Sequence, residues 1–447
     1  MEQLVQRFLN HGMSRRDFVR QLGALGLTTA AAQSLLAQIE TNAPMGEGKG
    51  IHPGRVVWVR DPAATSWDGE TGHWWDDANN DQAVVDRMIS RTLQRLTGEK
   101  ADKQAWDRLF QHFNRTHGFG NTGYRPGEKI AVKINCNQDR SAVWGAARRG
   151  GGAANGLPSP HLTSALVTQL ITVAGVPGED ITIYEVARGR NIGQPVYTKI
   201  KANSKPDFQA VTFLVNTDHG LGGRTTPTVD QTTPVRFSKA GVPTAYLPQQ
   251  VTAVKYLINL ALLRVHLLAG VTLSAKNHFG SIHFPDNGGW TPAPLHGYVA
   301  GRNPMGSYNP LVDLSGHRHL GGKTVLYIFD GLYTANNEEG SVVRYATFGD
   351  DWASSLLMSQ DPVAIDSVGF DILKTEPKAD LQGNADNYLH EAAQAAKPPS
   401  GTVYDPNGTG TPLASLGVHE HWNNATDKKY SRNLGRKEGI ELIAELA

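Results

Sequence analysis

Apolar residues recur along this chain at two different periods. Over residues 81–96, Val84, Val85, Met88, Ile89 and Leu93 fall on one face of a 3.6-residue repeat, and over residues 102–113 Trp106, Leu109, Phe110 and Phe113 do the same. Both segments predict amphipathic helices. Short apolar runs predict strands at residues 55–59, 130–134, 181–186, 211–215, 251–260, 271–274 and 324–329. Between two of them, Pro160 opens a helix with Leu162, Ala165, Leu166 and Leu170 inward, which runs to Ala174 and stops at Gly175. Strand, helix and strand at this spacing predict a parallel βαβ unit. The fold class expected is therefore α/β, with a mixed, largely parallel sheet flanked by helices. Further helices are predicted over residues 361–373 and 384–396, and near residues 437–446.

Punctuation divides the chain. Residues 41–53 read as a Gly- and Pro-containing linker, residues 54–375 as the α/β domain, and residues 376–447 as a C-terminal extension packed on it. Gly150-Gly151-Gly152 marks a long loop after the strand at 130–134. With 48 Gly and 24 Pro in 447 residues, long loops around a modest set of elements are expected throughout. No internal repeat is evident.

Charge removes one class of function. The 43 Lys and Arg against 42 Asp and Glu leave a net +1, which gives no electrostatic basis for wrapping nucleic acid. The one cysteine, Cys136, cannot alone hold an iron–sulfur cluster or a thiolate zinc site, so any metal here would take His, carboxylate or amide oxygen. Residues 1–40 have the layout of a twin-arginine export signal: Ser14, the pair Arg15 and Arg16, Phe18, then residues 21–39 without a formal charge. That segment is too polar for a membrane span, and no later window supplies one. The expectation is a periplasmic or extracellular protein that meets the twin-arginine export machinery and keeps no membrane span when mature.

Candidate chemistry concentrates after the middle of the chain. Six of the sixteen histidines, at 266, 278, 283, 296, 317 and 319, crowd one stretch. Within it an apolar strand runs into Ser274-Ala275-Lys276-Asn277-His278-Phe279-Gly280, and strand ends followed by loops are where α/β sheets place ligands. His266, His278 and His283 are candidate metal ligands, with a divalent metal the cofactor they suggest, and Asp313 or Asp330 could add a carboxylate. The spacing matches no compact metal motif. Lys276 and Asn277 could instead hold an anion, an ammonium with oriented amide donors, and Lys133 followed by Asn135 and Asn137 has the same character. Asp361 reads as a helix cap with Pro362 at the first helical position. Asp330 reads equally as a ligand or a turn residue, and His419-Glu420-His421 as exposed loop polarity.

Taken in order, Val132-Lys133-Ile134-Asn135, the Pro160 helix with Ile181 to Glu185, Leu263-Arg264-Val265-His266, Lys276-Asn277-His278-Phe279-Gly280 and Asp361-Pro362-Val363-Ala364-Ile365-Asp366 resemble the DUF362 family, whose reaction is unassigned. Some of its members are described as iron–sulfur centre proteins; they carry added cysteines that this chain lacks, so that function is not transferred. The resemblance implies a pocket near Lys133, His266, Lys276, Asn277, Asp330 and Asp366. The family often has Lys where this chain has Arg264. The expected function is an enzyme acting on a small polar or anionic ligand, with His266, Lys276 and Asp330 catalytic and Lys133, Asn135, Asn277 and Arg264 binding substrate. The alternative is a non-catalytic binding or accessory protein for a metal, cofactor or redox partner.

Overall fold

Eight strands meet in one sheet, and most are apolar on both faces, so helices must cover each side. The computed structural model describes residues 4, 13–33, 43–139, 156–187, 192–381 and 383–446. In chain order we label β1 (Arg55–Arg60), β2 (Ile130–Lys133), β3 (Ile181–Glu185), β4 (Thr212–Val215), β5 (Tyr256–Leu262), β6 (Arg264–His266), β7 (Gly270–Thr272), β8 (Thr324–Gly331), β9 (Ser355–Ser359) and β10 (Glu441–Leu446). Across the sheet the order is β10-β1-β9-β8-β5-β2-β3-β4. The five strands from β8 to β4 are parallel, β9 runs antiparallel to both β8 and β1, and β10 is parallel to β1. β6 and β7 form a separate antiparallel hairpin. The α/β class, with a mixed and mostly parallel sheet, is thus what the chain adopts.

The winding sets the position of the site. From β2 the chain moves outward through β3 to β4, then returns to lay β5 on the other side of β2 and β8 beyond it. The order reverses between β2 and β5, and in open α/β sheets ligands bind outside the carboxyl ends of the strands at such a reversal.

Alternating residues of each strand feed two cores. Val57 and Val59 of β1, with Ile130 and Val132 of β2, face α1 (Gln82–Thr97), α2 (Asp102–Thr116) and α3 (Pro160–Thr168). Val56 and Trp58, with Phe329 and Leu357, face α5 (Pro362–Thr375) on the other side; α4 (Ser274–Asn277) is a single turn between β7 and the loop that follows. Helix α1 begins where predicted because Asp81 accepts the Val84 N–H at 3.0 Å, and it ends at Gly98, whose φ of 78° suits glycine. The helix from Pro160 changes to a π turn over Gln169–Val173 before Gly175.

Asp361 caps α5 and does more. Its carboxylate accepts from Val363 N and Ala364 N at 3.0 and 2.9 Å, and also from Lys49 N at 2.8 Å and Val418 N at 3.2 Å. One buried side chain therefore pins the helix start to two distant segments. Asp361→Ala is expected to lose the cap, about 1 kcal/mol, and to strand further buried N–H groups, for a total of about 2–3 kcal/mol. Asp361→Asn, which keeps one acceptor, should lose less; urea unfolding of the two variants makes the comparison.

Several expectations are corrected. Residues 437–446 do not form a helix: Glu441–Leu446 pairs along β1, Glu441 opposite Arg55 and Leu446 opposite Arg60, with Glu441 bound to Arg55 Nε at 2.8 Å and Glu445 to Arg91 and Arg95. The strand at 251–260 starts only at Tyr256, after a helical turn at Gln249–Thr252, and the strand at 271–274 ends at Thr272. The helix at 384–396 is confined to Asn387–Ala393. β9 was not foreseen. The Gly150-Gly151-Gly152 loop and much of the export segment lie outside the described residues; the part described includes the helix Arg15–Ala24, started by Ser14, whose hydroxyl accepts from Asp17 N at 3.2 Å. Among the described residues no helix is long and apolar enough to cross a membrane.

His419 and Glu420 are buried rather than exposed. Glu420 accepts from Ser431 and from Ile440 N, while the His419 ring lies 4.8 Å from His390 and 4.9 Å from His421. Burial lowers His421's affinity for a proton, but Asp371 Oδ1 at 2.7 Å and Asp386 Oδ2 at 3.5 Å outweigh it, and its pKa rises to about 9. His419, desolvated and beside His421 and His390, is held well below the usual value. The two have opposite signs in linkage. What His421 contributes to stability is complete below pH 6.5 and is lost as pH rises through about 9, whereas what neutral His419 contributes is lost on acidification below its unfolded value. Melting temperature measured from pH 6 to 10 should fall at the alkaline end, and His421→Gln should flatten that limb.

Candidate functional site

Strand β2 is apolar except for its last residue, and that residue is fully buried. Lys133 Nζ donates to Ile134 O at 2.6 Å, Glu185 Oε2 at 3.1 Å and Asn277 Oδ1 at 3.1 Å, which uses all three directions of the ammonium. Burial lowers its pKa and Glu185 opposes the shift. Glu185 ends the neighbouring strand β3; its other oxygen accepts from Ala187 N at 3.1 Å. The pair is sealed, with side chains 0% and 1% exposed.

Asn277 ties the two strands that flank the reversal. Its Nδ2 reaches Asn259 Oδ1 on β5 at 2.8 Å and the carbonyls of Lys133 and Leu260 at 3.3 Å each, while its Oδ1 receives Lys133. Its own helix, α4, is too short to hold itself. Asp366 in α5 holds it instead, accepting from Ser274 N at 2.9 Å and Ala275 N at 3.2 Å, with Tyr388 Oη at 2.9 Å on the same carboxylate. Burial pushes Asp366 up to about 6. Just past α4, Gly280 packs against Glu185: a Cβ there would lie 2.1 Å from Oε1, and Gly280 O accepts from Val186 N at 2.9 Å.

These elements enclose a cleft of about 320 Å³ at the carboxyl ends of β2 and β3. Asn135, Gln138, Glu185, Lys276 and Asn277 are among the residues that line it, with His266, His296, Glu338, Glu339 and Phe279. Lys276 Nζ stands 3.8 Å from the centre of the Phe279 ring, a cation–π contact that orients the ammonium. His266 Nδ1 lies 3.1 Å from Leu268 N, 3.2 Å from Ala269 N and 3.2 Å from Glu338 Oε1, and Glu338 is itself fixed by Leu267 N at 2.7 Å. Neutral, the ring nitrogen accepts from the backbone; protonated, it can donate to Glu338. Nδ1 thus has a partner in either state.

The fold brings together His266, Lys276, Asn135 and Asn277 of the expected residues. Lys133 sits behind the wall and touches the cleft only through Glu185 and Asn277. Asp330 is elsewhere: its oxygens accept from Ser159 N at 2.6 Å and Leu332 N at 3.2 Å, tying β8 to the start of α3, and burial raises it to about 6. Arg264 is buried outside the cleft lining, with Nη1 on Gly156 O, Nε and Nη2 without a hydrogen-bond partner among the described residues, and a pKa brought down to about 10 by burial. His278 is also behind the wall, its Nε2 3.3 Å from Asn259 Nδ2 and its pKa near 3 through burial. His283 lies on the antiparallel bridge with Tyr246, its ring 4.8 Å from Trp290. Asp313 binds Ser238 and Tyr308. Among the described residues no three His, Cys, Asp or Glu side chains are grouped to hold a metal, so His266, His278 and His283 do not form such a set.

Gln138, Glu185 and Glu338 were not anticipated as site residues, and His296 only as one of the six clustered histidines. Glu185 left a signal, a lone acid closing an apolar strand beside another strand closed by a lone lysine; Gln138 and Glu338 sit in loops and left none.

Residues 221–371 match the family model DUF362, a domain of unknown function. The matched stretch contains His266, Lys276, Asn277, Gly280 and Glu338, whereas Asn135, Gln138 and Glu185 come from the chain before it. No curated protein matches the chain.

Proposed function

We propose that the chain is an exported DUF362-like enzyme that binds a small polar or anionic molecule in this cleft and moves a proton on it. The observation that carries the reading is His266: a cleft-lining imidazole whose Nδ1 is met by backbone donors when neutral and by Glu338 when protonated. Lys276, fixed on Phe279, anchors the negative end of the ligand. Glu185, held by Lys133 and Ala187 N, presents a carboxylate whose position does not depend on solvent. Asp366 and Asn277 are positioning residues. Export rests on Arg15, Arg16 and Phe18 ahead of an uncharged stretch.

The full chain is titrated with carboxylates and phosphate esters, and each binder is incubated in D2O and followed by proton NMR. Turnover or deuterium uptake should fall at least about a hundredfold in His266→Gln while affinity is largely kept; Lys276→Met should weaken affinity. Binding without any exchange or turnover would sink the enzyme reading in favour of a binding protein. Export is tested separately, by replacing Arg15 and Arg16 with Lys and locating the protein.

A further inference from the structure

We infer, resting on the reading of this cleft as a ligand site, that its ligand is an amphiphile, with a polar head inside the cleft and an apolar chain of several carbons that leaves it across Leu268. The inference starts from a turn. Between β6 and β7 the chain reverses through Leu267, Leu268 and Ala269; Leu268 is 46% exposed although it lines the cleft, and Leu267 beside it is 39% exposed. Single exposed leucines are common on proteins and signify nothing by themselves. These two are held in place. Leu267 N donates to Glu338 Oε2 at 2.7 Å, Leu268 N and Ala269 N donate to His266 Nδ1 at 3.1 and 3.2 Å when that nitrogen is unprotonated, and Leu268 O accepts from Gly301 N at 2.7 Å. The turn is ordered before any ligand arrives, so docking a chain against it costs little conformational entropy.

Exposure sorts the rest of the lining by polarity. Among the described residues of the lining, the two exposed ones, Leu268 and Ala293, are both apolar, and every polar one is buried or half-buried. A hydrophilic ligand would call for the reverse order, with polar side chains toward the open end. At about 320 Å³ the cleft is at the small end of ligand sites, with room for a head and not for a long chain as well. The chain must therefore continue outside. A ligand without one would leave Leu268 in water, whereas a chain laid over it removes apolar surface from water on both partners. Leu268 is then a specificity-determining residue, reading the length of the chain and not the charge of the head.

The test is calorimetric titration of the full chain with butyrate, hexanoate and octanoate. A methylene wholly removed from water is worth about a factor of four, and one laid against a single side chain about a factor of two, so octanoate should bind about tenfold or more tightly than butyrate. The heat-capacity change should grow more negative along the series. In Leu268→Ser octanoate should weaken about fivefold or more while butyrate changes less than about twofold; Leu221→Ser, at an exposed leucine absent from the lining, should leave the series as it is. A series flat in wild type would overturn the inference and leave the anion site standing, and one equally steep in Leu268→Ser would overturn it by sending the chain elsewhere. A concentration-dependent dimer by light scattering, lost in Leu268→Ser, would overturn it in favour of contact between two copies. If no alkanoate binds, both readings fall. The wild-type series decides the matter even where a variant does not fold.

Discussion

Lys133→Met should destabilise the chain by about 3–5 kcal/mol, the usual consequence of removing one member of a buried ion pair. The loss comes less from the attraction removed than from what stays behind: Glu185, 1% exposed and without its cation, together with the Ile134 carbonyl and Asn277 Oδ1 that Lys133 served. A second substitution separates these causes. In Lys133→Met with Glu185→Gln no uncompensated charge remains, so the double variant should recover a substantial part of the loss even though it has lost both native groups. Urea midpoints of the wild type, both single variants and the double variant give the cycle. A Lys133→Met variant within 1 kcal/mol of wild type would mean that the pair is hydrated rather than sealed.

Gly280→Ala should weaken ligand binding at least about tenfold while leaving a folded protein. The added methyl would sit 2.1 Å from Glu185 Oε1 and 2.5 Å from both Cδ and Oε2, too close for either side to remain. Something must shift. Gly280 is held through its carbonyl by Val186 N, and Glu185 by Lys133 and Ala187 N, so the strain spreads through the cleft wall instead of into one flexible side chain. Overpacking of this kind costs about 1–3 kcal/mol, well below the stability of an ordinary domain. Affinity for the best ligand should fall by at least about tenfold, because the carboxylate that faces it has moved. Titration alongside a thermal melt distinguishes this from unfolding, and unchanged affinity would remove Glu185 from the site.

Much of the frame was legible because it is written in local patterns. The stripe Val84, Val85, Met88, Ile89 and Leu93, the apolar runs of β2, β3 and β8, and the Asp361-Pro362 start of α5 each specify an element without reference to the rest of the chain. Where the pattern is ambiguous, tertiary pairing decides. Glu441 to Leu446 contains good helix formers, and nothing within it reveals that the exposed side of β1 is its partner. Ser355 to Ser359 is short, apolar and fully buried, a run that periodicity alone does not assign. The site was legible in half. His266, Lys276 and Asn277 announce themselves as polar residues after apolar strands, but the identity of their neighbours depends on the reversal between β2 and β5, which juxtaposes Asn135 and Gln138 with residues well over a hundred positions later. Asp330 and His278 have the same local appearance as the cleft residues and were separated from them only by the fold.

The pairing of β10 with β1 also bears on how the polypeptide is made. Arg55 and its partner Glu441 are 386 positions apart, so while the ribosome is still adding the intervening chain, one side of β1 has backbone groups with no neighbour to meet them. The nascent protein carries a raw edge for most of its synthesis, a surface on which holding factors can act and on which two unfinished copies can mistakenly join.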